Sequence, residues 1–122
     1  VIEIKFRVWD NNNNEMLTDK PGRGRVTEIL LNYHMGLLKD NPFSFMQNTG
    51  LKDKNGVEIY EGDITEFYID FGYGEQKITA EVVFEDCGFK YKSEAGIDYI
   101  RDFNNVEVIG NIYENKELLD GK

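Results

Sequence analysis

Apolar and polar side chains alternate with period two in several stretches of the chain, the spacing that lays one side of an extended segment on a core. In the first stretch Ile2, Ile4, Phe6 and Val8 share one side, and Glu3, Lys5, Arg7 and Trp9 share the other, with Trp9 expected at the surface. Asp10 and the asparagines Asn11 to Asn14 interrupt the alternation. Short amide side chains tolerate left-handed backbone, so a turn is predicted here, with Met16 and Leu17 starting a return strand. The strongest pair of strands comes later. Thr65, Phe67, Ile69 and Phe71 alternate with polar neighbours, as do Ile78, Ala80, Val82 and Phe84, and the glycine loop GYGE between them predicts an antiparallel hairpin. Phe89 with Tyr91, and Val106 with Val108, predict two further strands.

Two regions depart from period two. In TEILLNYHMGLLKD, residues 27–40, Leu30, Tyr33, His34 and Leu37 fall at helical spacing and Asn41-Pro42 follows as a stop signal. Gly36 sits inside that pattern, and a strand from Arg25 to Leu31 followed by a loop fits equally well. Near the end, Asn115 is placed to cap a short helical turn running through Leu119. The fold class expected is therefore mainly β, a β-rich α+β arrangement: an antiparallel sheet or small partly open barrel with one or two short helices. With 122 residues, no long linker and no internal repeat, residues 1–122 are expected to form a single domain.

The stretch TGLKDKNGVEIYEGDI, residues 49–64, concentrates glycines and charges, and Asp53, Asn55 and Gly56 imitate the middle of a calcium-binding EF-hand loop. With Gly56 as the sixth position, the first is Leu51 and the twelfth Gly62, and neither side chain can donate oxygen. The stretch thus encodes turns, at Asn55-Gly56 and at Gly62-Asp63, around a β-prone segment from Val57 to Tyr60. FMQNTGLKDKNGVEIYEGDI (residues 45–64), VEVIGNIYENKELL (residues 106–119) and the opening IKFRVWD (residues 4–10) together resemble the YopX-like family of proteins from bacteriophages and prophages of Gram-positive bacteria. That resemblance implies a small, mainly β domain encoded by phages and used in the bacterial cytoplasm. It brings no catalytic residue and no cofactor to any position of this chain.

Charge and chemistry narrow the function classes. The 14 basic and 23 acidic residues give a net charge of −9, and the second half, residues 62–122, holds six of the basic and 14 of the acidic ones. Such a surface repels phosphate at long range, which weighs against non-specific nucleic-acid binding. Cys87 is the only cysteine, which suits a reducing cytosol, and it is expected to be a packed small residue rather than a nucleophile. The alternating N-terminus lacks the continuous apolar core of a signal peptide, and no apolar run suits a membrane helix, so a soluble cytoplasmic protein is expected. His34 is the only histidine, so His/Cys metal clusters are excluded, and partial burial with one hydrogen bond is expected of it. Glu58, Glu61 and Asp63, and Glu85 with Asp86, are carboxylates near turns, where solvent or backbone amides are their usual partners. Gly22 and Gly24, like Gly72 and Gly74, start a dinucleotide fingerprint that fails at Thr27 and Lys77.

No catalytic residue, metal ligand or cofactor site is expected. The leading reading is a non-catalytic accessory protein that binds a host or phage protein. The alternative is a nucleic-acid-binding module in which Lys20, Arg23 and Arg25 of KPGRGR contact phosphates and Trp9 stacks on a base. A carboxylate-based, metal-dependent hydrolase has the weakest support. Aromatic and β-branched residues expected at the surface, including Tyr68, Tyr73 and Tyr113, exceed what one small sheet hides, so a homo-oligomer is also expected.

Overall fold

The computed structural model describes residues 5–19, 25–36, 42–70, 72–94, 96–99 and 105–120. Among them are nine strands, one α-helix and one 3-10 helix: β1 (Phe6–Asp10), β2 (Glu15–Leu17), α1 (Arg25–His34), β3 (Phe43–Lys52), β4 (Glu58–Tyr60), β5 (Asp63–Asp70), β6 (Glu75–Glu85), β7 (Gly88–Ser93), β8 (Gly96–Tyr99), β9 (Glu107–Asn111) and a closing 3-10 helix, Lys116–Asp120. The fold is mainly β and every pairing is antiparallel, as the alternation predicts. The chain forms two compact units, residues 1–48 and 49–122. β3 contributes its first half to one and its last residues to the other.

In the first unit β1 lies between β2 and β3. Val8 opposes Leu17 on one side and Phe45 on the other. Val8, Leu17, Val26 and Ile29 form the buried core, with Phe6, Leu30, Phe43 and Phe45 packed against it. The asparagine run makes the turn between β1 and β2, with Asn14 in the left-handed region at φ 52. Asp10 holds that turn together: its Oδ1 accepts the amides of Asn12 (2.9 Å) and Asn13 (3.2 Å), and its Oδ2 accepts Asn13 Nδ2 (2.8 Å). The helix, not the strand, is realised at 25–34, and Gly36 ends it. With φ 71, Gly36 takes the left-handed C-terminal position and donates its amide to Tyr33 O (3.1 Å), so the glycine that weakens the helical pattern is the residue that terminates it. The buried stripe is Val26 and Ile29 with half-buried Leu30, on the same face that the spacing of Leu30, Tyr33 and His34 suggests but one turn nearer the N-terminus. His34 is exposed, which corrects the expectation of partial burial; Leu37 and Asn41 lie outside the described residues.

In the second unit the end of β3 pairs with β4, and the other strands form one five-stranded sheet, ordered β8-β7-β6-β5-β9. β5 and β6 are the predicted hairpin, with Thr65 opposite Ala80 and Phe67 opposite Ile78. Asp70 Oδ1 accepts the amides of Gly72 (2.7 Å) and Gly74 (3.2 Å) in its loop; Phe71 lies outside the described residues. The core is Ile59, Phe67, Ala80, Val82, Tyr91 and Val106, and the Phe67 and Tyr91 rings meet at 4.8 Å. Buried Thr65 gives its hydroxyl proton to Ala80 O at 3.1 Å, so its polar group costs little there.

Cys87 is exposed, contrary to the packed position expected of it. The hairpin fixes its place: β6 and β7 pair from Glu81–Lys92 to Glu85–Gly88, leaving Asp86 and Cys87 as a two-residue loop with φ 50 and 64. Both central residues of such a turn need positive φ, which Asn-Gly adopts freely and a cysteine does not. Cys87→Gly is expected to stabilise the protein by about 0.5–1 kcal/mol through relief of the left-handed strain. A urea midpoint that falls in this variant contradicts the assignment.

Candidate functional site

Of the four residues singled out for phosphate or partner contact, Lys20 and Arg23 lie outside the described residues. Arg25 opens α1 and is exposed, and its charge acts on Asp10. Hydrogen bonds from the Asn13 side chain, then from the Asn13 and Asn12 amides, outweigh burial and hold the Asp10 carboxyl below its ordinary value, with Arg25 adding to that effect. Trp9 is only 6% exposed, which corrects its expected surface position. Period two shows which residues share a side of a strand; it does not show whether that side meets water, and in the central strand β1 both Arg7 and Trp9 are buried. Arg7 Nε donates to Met46 Sδ at 3.4 Å. The N-terminus of α1 already carries an anion from the chain itself: Asp19 Oδ1 accepts the Val26 amide (2.7 Å) and Oδ2 the Thr27 hydroxyl (2.8 Å). This is the place a phosphate would otherwise take.

The opposite side of α1 presents apolar surface. Leu31 is 55% exposed and Met35, one turn on, 61%; Tyr33 falls on the side of Val26 and Leu30, where its ring lies 5.3 Å from Phe45. Leu31 and Met35 lie outside the helical spacing of Leu30, Tyr33, His34 and Leu37, and with a strand over 25–31 fitting the sequence equally well, only the helix with Val26 and Ile29 on the core turns them outward. Other large exposed apolar residues are Tyr68 and, at the β5–β6 loop, Tyr73. Phe84 shows half its surface beside Phe89, its cross-strand partner.

The carboxylates near turns serve different ends. Asp63 is buried and accepts the Tyr60 amide at 2.7 Å, and Glu58 accepts the Tyr60 hydroxyl at 3.4 Å. Glu85 pairs with Lys92 and Asp86 with Lys90 at the surface. Among the described residues no group of three or more His, Cys, Asp or Glu is arranged to hold a metal ion. Glu81, opposite Lys92, is pushed above its ordinary value by burial, with Glu85 and Glu61 adding to the rise and Lys92 and Lys116 opposing it. A carboxyl raised in this way favours the fold only below the unfolded glutamate range, and that contribution is lost as pH rises through the folded value.

The two glycine- and asparagine-rich stretches of the sequence meet in the second unit. Lys54 N donates to Val106 O (2.8 Å), Val108 N to Asp53 Oδ2 (2.9 Å) and Ile112 N to Gly62 O (2.9 Å), while Asp63 opposes Asn111. Asp53 is the hub. It is buried, and its Oδ1 also accepts the amides of Asn55 (2.8 Å) and Val57 (2.9 Å). Burial alone would raise its carboxyl; the amides of Val108, Val57 and Asn55, with Lys54, more than offset that and hold it below the ordinary 3.8. By taking the Val108 amide, Asp53 also closes part of the outer edge of β9, an edge that would otherwise offer unpaired donors. At the end of β9, Asn111 Oδ1 accepts the Tyr113 (3.0 Å) and Glu114 (2.9 Å) amides, and Asn111 N donates to Asn115 Oδ1 (3.2 Å). Asn115 thus turns its side chain back to Asn111, and only its carbonyl starts the 3-10 helix by accepting Leu118 N.

These turns and pairings define a small antiparallel β protein of two sheets whose shared sequence signature is a set of backbone-bracing turns. The chain belongs to the YopX family: the family described as YopX protein matches residues 5–120. The chain is similar to the crystal structure of protein EF1440 from Enterococcus faecalis, at 29% identity and a TM-score of 0.66, over 98% of this chain and 99% of that one. It is also similar to the crystal structure of protein yopX from Bacillus subtilis, at 21% identity and a TM-score of 0.56, over 93% and 96% of the two chains, which supports the fold alone. No curated protein matches the sequence. No helix among the described residues is long and apolar enough to cross a membrane.

Proposed function

We propose that this YopX family member is a phage- or prophage-encoded accessory protein that acts in the host bacterial cytoplasm as a non-catalytic protein-binding module. The observation that carries this reading is the outward side of α1, where Leu31 and Met35, one turn apart, are both more than half exposed. Apolar side chains gain about 25 cal/mol per Å² when a partner removes them from water, and methionine is enriched at protein interfaces. The charge distribution fits the same reading. Residues 1–48 hold six basic and six acidic residues and are neutral overall, whereas residues 49–122 hold eight basic and 17 acidic and carry the net −9. The apolar helix belongs to the unit without net charge, so the charge of that unit does not oppose an approaching protein surface.

The test is capture of partners from extract of an infected host with the wild-type protein and with a Leu31→Glu/Met35→Glu variant. Both residues are exposed, so the variant is expected to keep its stability within about 0.5 kcal/mol. Loss of a captured protein in the variant alone supports the reading, with an expected fall in affinity of at least about tenfold. Equal capture by both proteins overturns the role of α1. Salt-sensitive binding of labelled DNA, abolished by Arg23→Ala/Arg25→Ala, overturns the protein-binding reading in favour of nucleic acid.

A further inference from the structure

The loop at residues 53–57 contains an exposed asparagine followed by glycine, and its geometry sets two features against each other. Asn55 is exposed, and nothing lies within 4 Å of the place where a Gly56 side chain would begin, so no neighbour crowds this peptide bond. Steric protection is therefore absent. Yet the Gly56 amide is engaged, donating to Asp53 O at 3.0 Å, and the flanking amides of Asn55 and Val57 are both held by Asp53 Oδ1. With Asp53 N donating to Val57 O at 2.8 Å and Gly56 at φ 80, this is a three-residue hairpin loop closed by a glycine bulge.

We propose that Asn55 is a site of spontaneous deamidation whose rate is governed by the Asp53-centred hydrogen bonds of this loop. In the reaction Gly56 N gives up its proton and attacks Asn55 Cγ. The new N–Cγ bond forms a succinimide, the Cγ–Nδ2 bond breaks, and the side-chain nitrogen leaves as ammonia with the proton lost by Gly56. Water then adds to one of the two ring carbonyls, opening the ring to aspartate or to isoaspartate. An amide whose proton is held by Asp53 O is a poor nucleophile, so the folded loop reacts slowly and an opened loop reacts freely.

The product feeds back on the structure. Either form adds a negative charge two residues from the buried Asp53 carboxylate. The isoaspartate form also inserts one carbon into the main chain between Asn55 and Gly56, so Asn55 N and Val57 N no longer match the spacing of a single Asp53 oxygen. Because the other oxygen of that carboxylate holds Val108, the modification also loosens the attachment of β9. The change is irreversible without repair, which makes the loop a one-way covalent timer whose setting is its own stability.

The purified chain is incubated in neutral to mildly alkaline buffer, folded, at urea concentrations below the unfolding midpoint, and fully denatured. Conversion is followed by the gain of one mass unit in the peptide containing Asn55 and by enzymatic methylation of isoaspartate. Conversion is expected to be at least about tenfold slower in the folded than in the denatured chain, and to accelerate with urea below the midpoint. Asn55→Ser is expected to silence both signals, and Asp53→Asn to speed conversion in the absence of urea. Equal rates in the folded and denatured chain, or no conversion of Asn55 in the denatured chain, overturn the proposal.

Discussion

Asp53→Ala is expected to destabilise the protein by about 2–4 kcal/mol, the largest effect of any single polar substitution in the second unit. The carboxylate accepts three backbone amides, and the alanine variant leaves each of them to find another partner. Asn55 and Val57 are exposed, so water replaces part of what is lost there. Val108 is half-buried in a strand, so its amide bears more of the cost of a missing acceptor than the other two. Asp53→Asn keeps the shape but is expected to recover less than half of the loss. Whichever way its amide turns, one of the two positions that accept hydrogen bonds becomes an NH2 facing a backbone N–H. Urea unfolding at neutral pH measures the difference, and a loss under about 0.5 kcal/mol for Asp53→Ala contradicts the hub role. The gap between wild type and variant has a pH signature. Since the folded carboxyl lies below its ordinary 3.8, its contribution is present above the unfolded aspartate range and is lost as pH falls through the folded value. The two midpoints therefore converge in acid.

Gly110→Ala is the second large effect, about 1–3 kcal/mol, and its cause is packing. A Cβ on residue 110 would lie 2.5 Å from Asn115 Oδ1, 2.7 Å from its Cγ and 2.8 Å from its Cβ. Asn115 cannot simply swing aside. Its amide donates to Asn111 O at 2.8 Å and its Oδ1 accepts Asn111 N at 3.2 Å, so moving it opens the turn that ends β9. Gly110 also faces Ile64 where the β5–β9 register shifts, which leaves the backbone little room to retreat. A double variant gives the decisive comparison. Asn115→Gly removes the atoms that collide, so Gly110→Ala in that background is expected to cost at least 1 kcal/mol less than it does alone. Strict additivity contradicts the collision.

Both substitutions explain what the family signature encodes. Asn55-Gly56 and Gly62-Asp63 read in sequence as turns, and Asp53 and Asp63 brace those turns by accepting backbone amides, while Gly110 and Asn111 are the paired end of β9. That Asp53 also reaches Val108, 55 residues away, has no trace in local sequence, because a carboxylate beside Asn-Gly looks the same whether it braces its own loop or a distant strand. Cys87 illustrates a similar limit. Residue type alone favours burial, whereas the register of β6 on β7 puts it at the turn and forces a left-handed backbone on it.

The sequence by itself determined the periodic elements: the β5–β6 hairpin, β7, the strand of Val106 and Val108, and the asparagine turn. These follow from interactions between near neighbours, which period-two alternation and turn residues report directly. Tertiary structure alone decided that residues 25–34 are a helix, that Trp9 is buried and that Leu31 and Met35 face outward. Those outcomes depend on which side of each element the remaining chain covers. Burial is a property of surfaces brought together from distant parts of the sequence, and a local pattern carries no record of it.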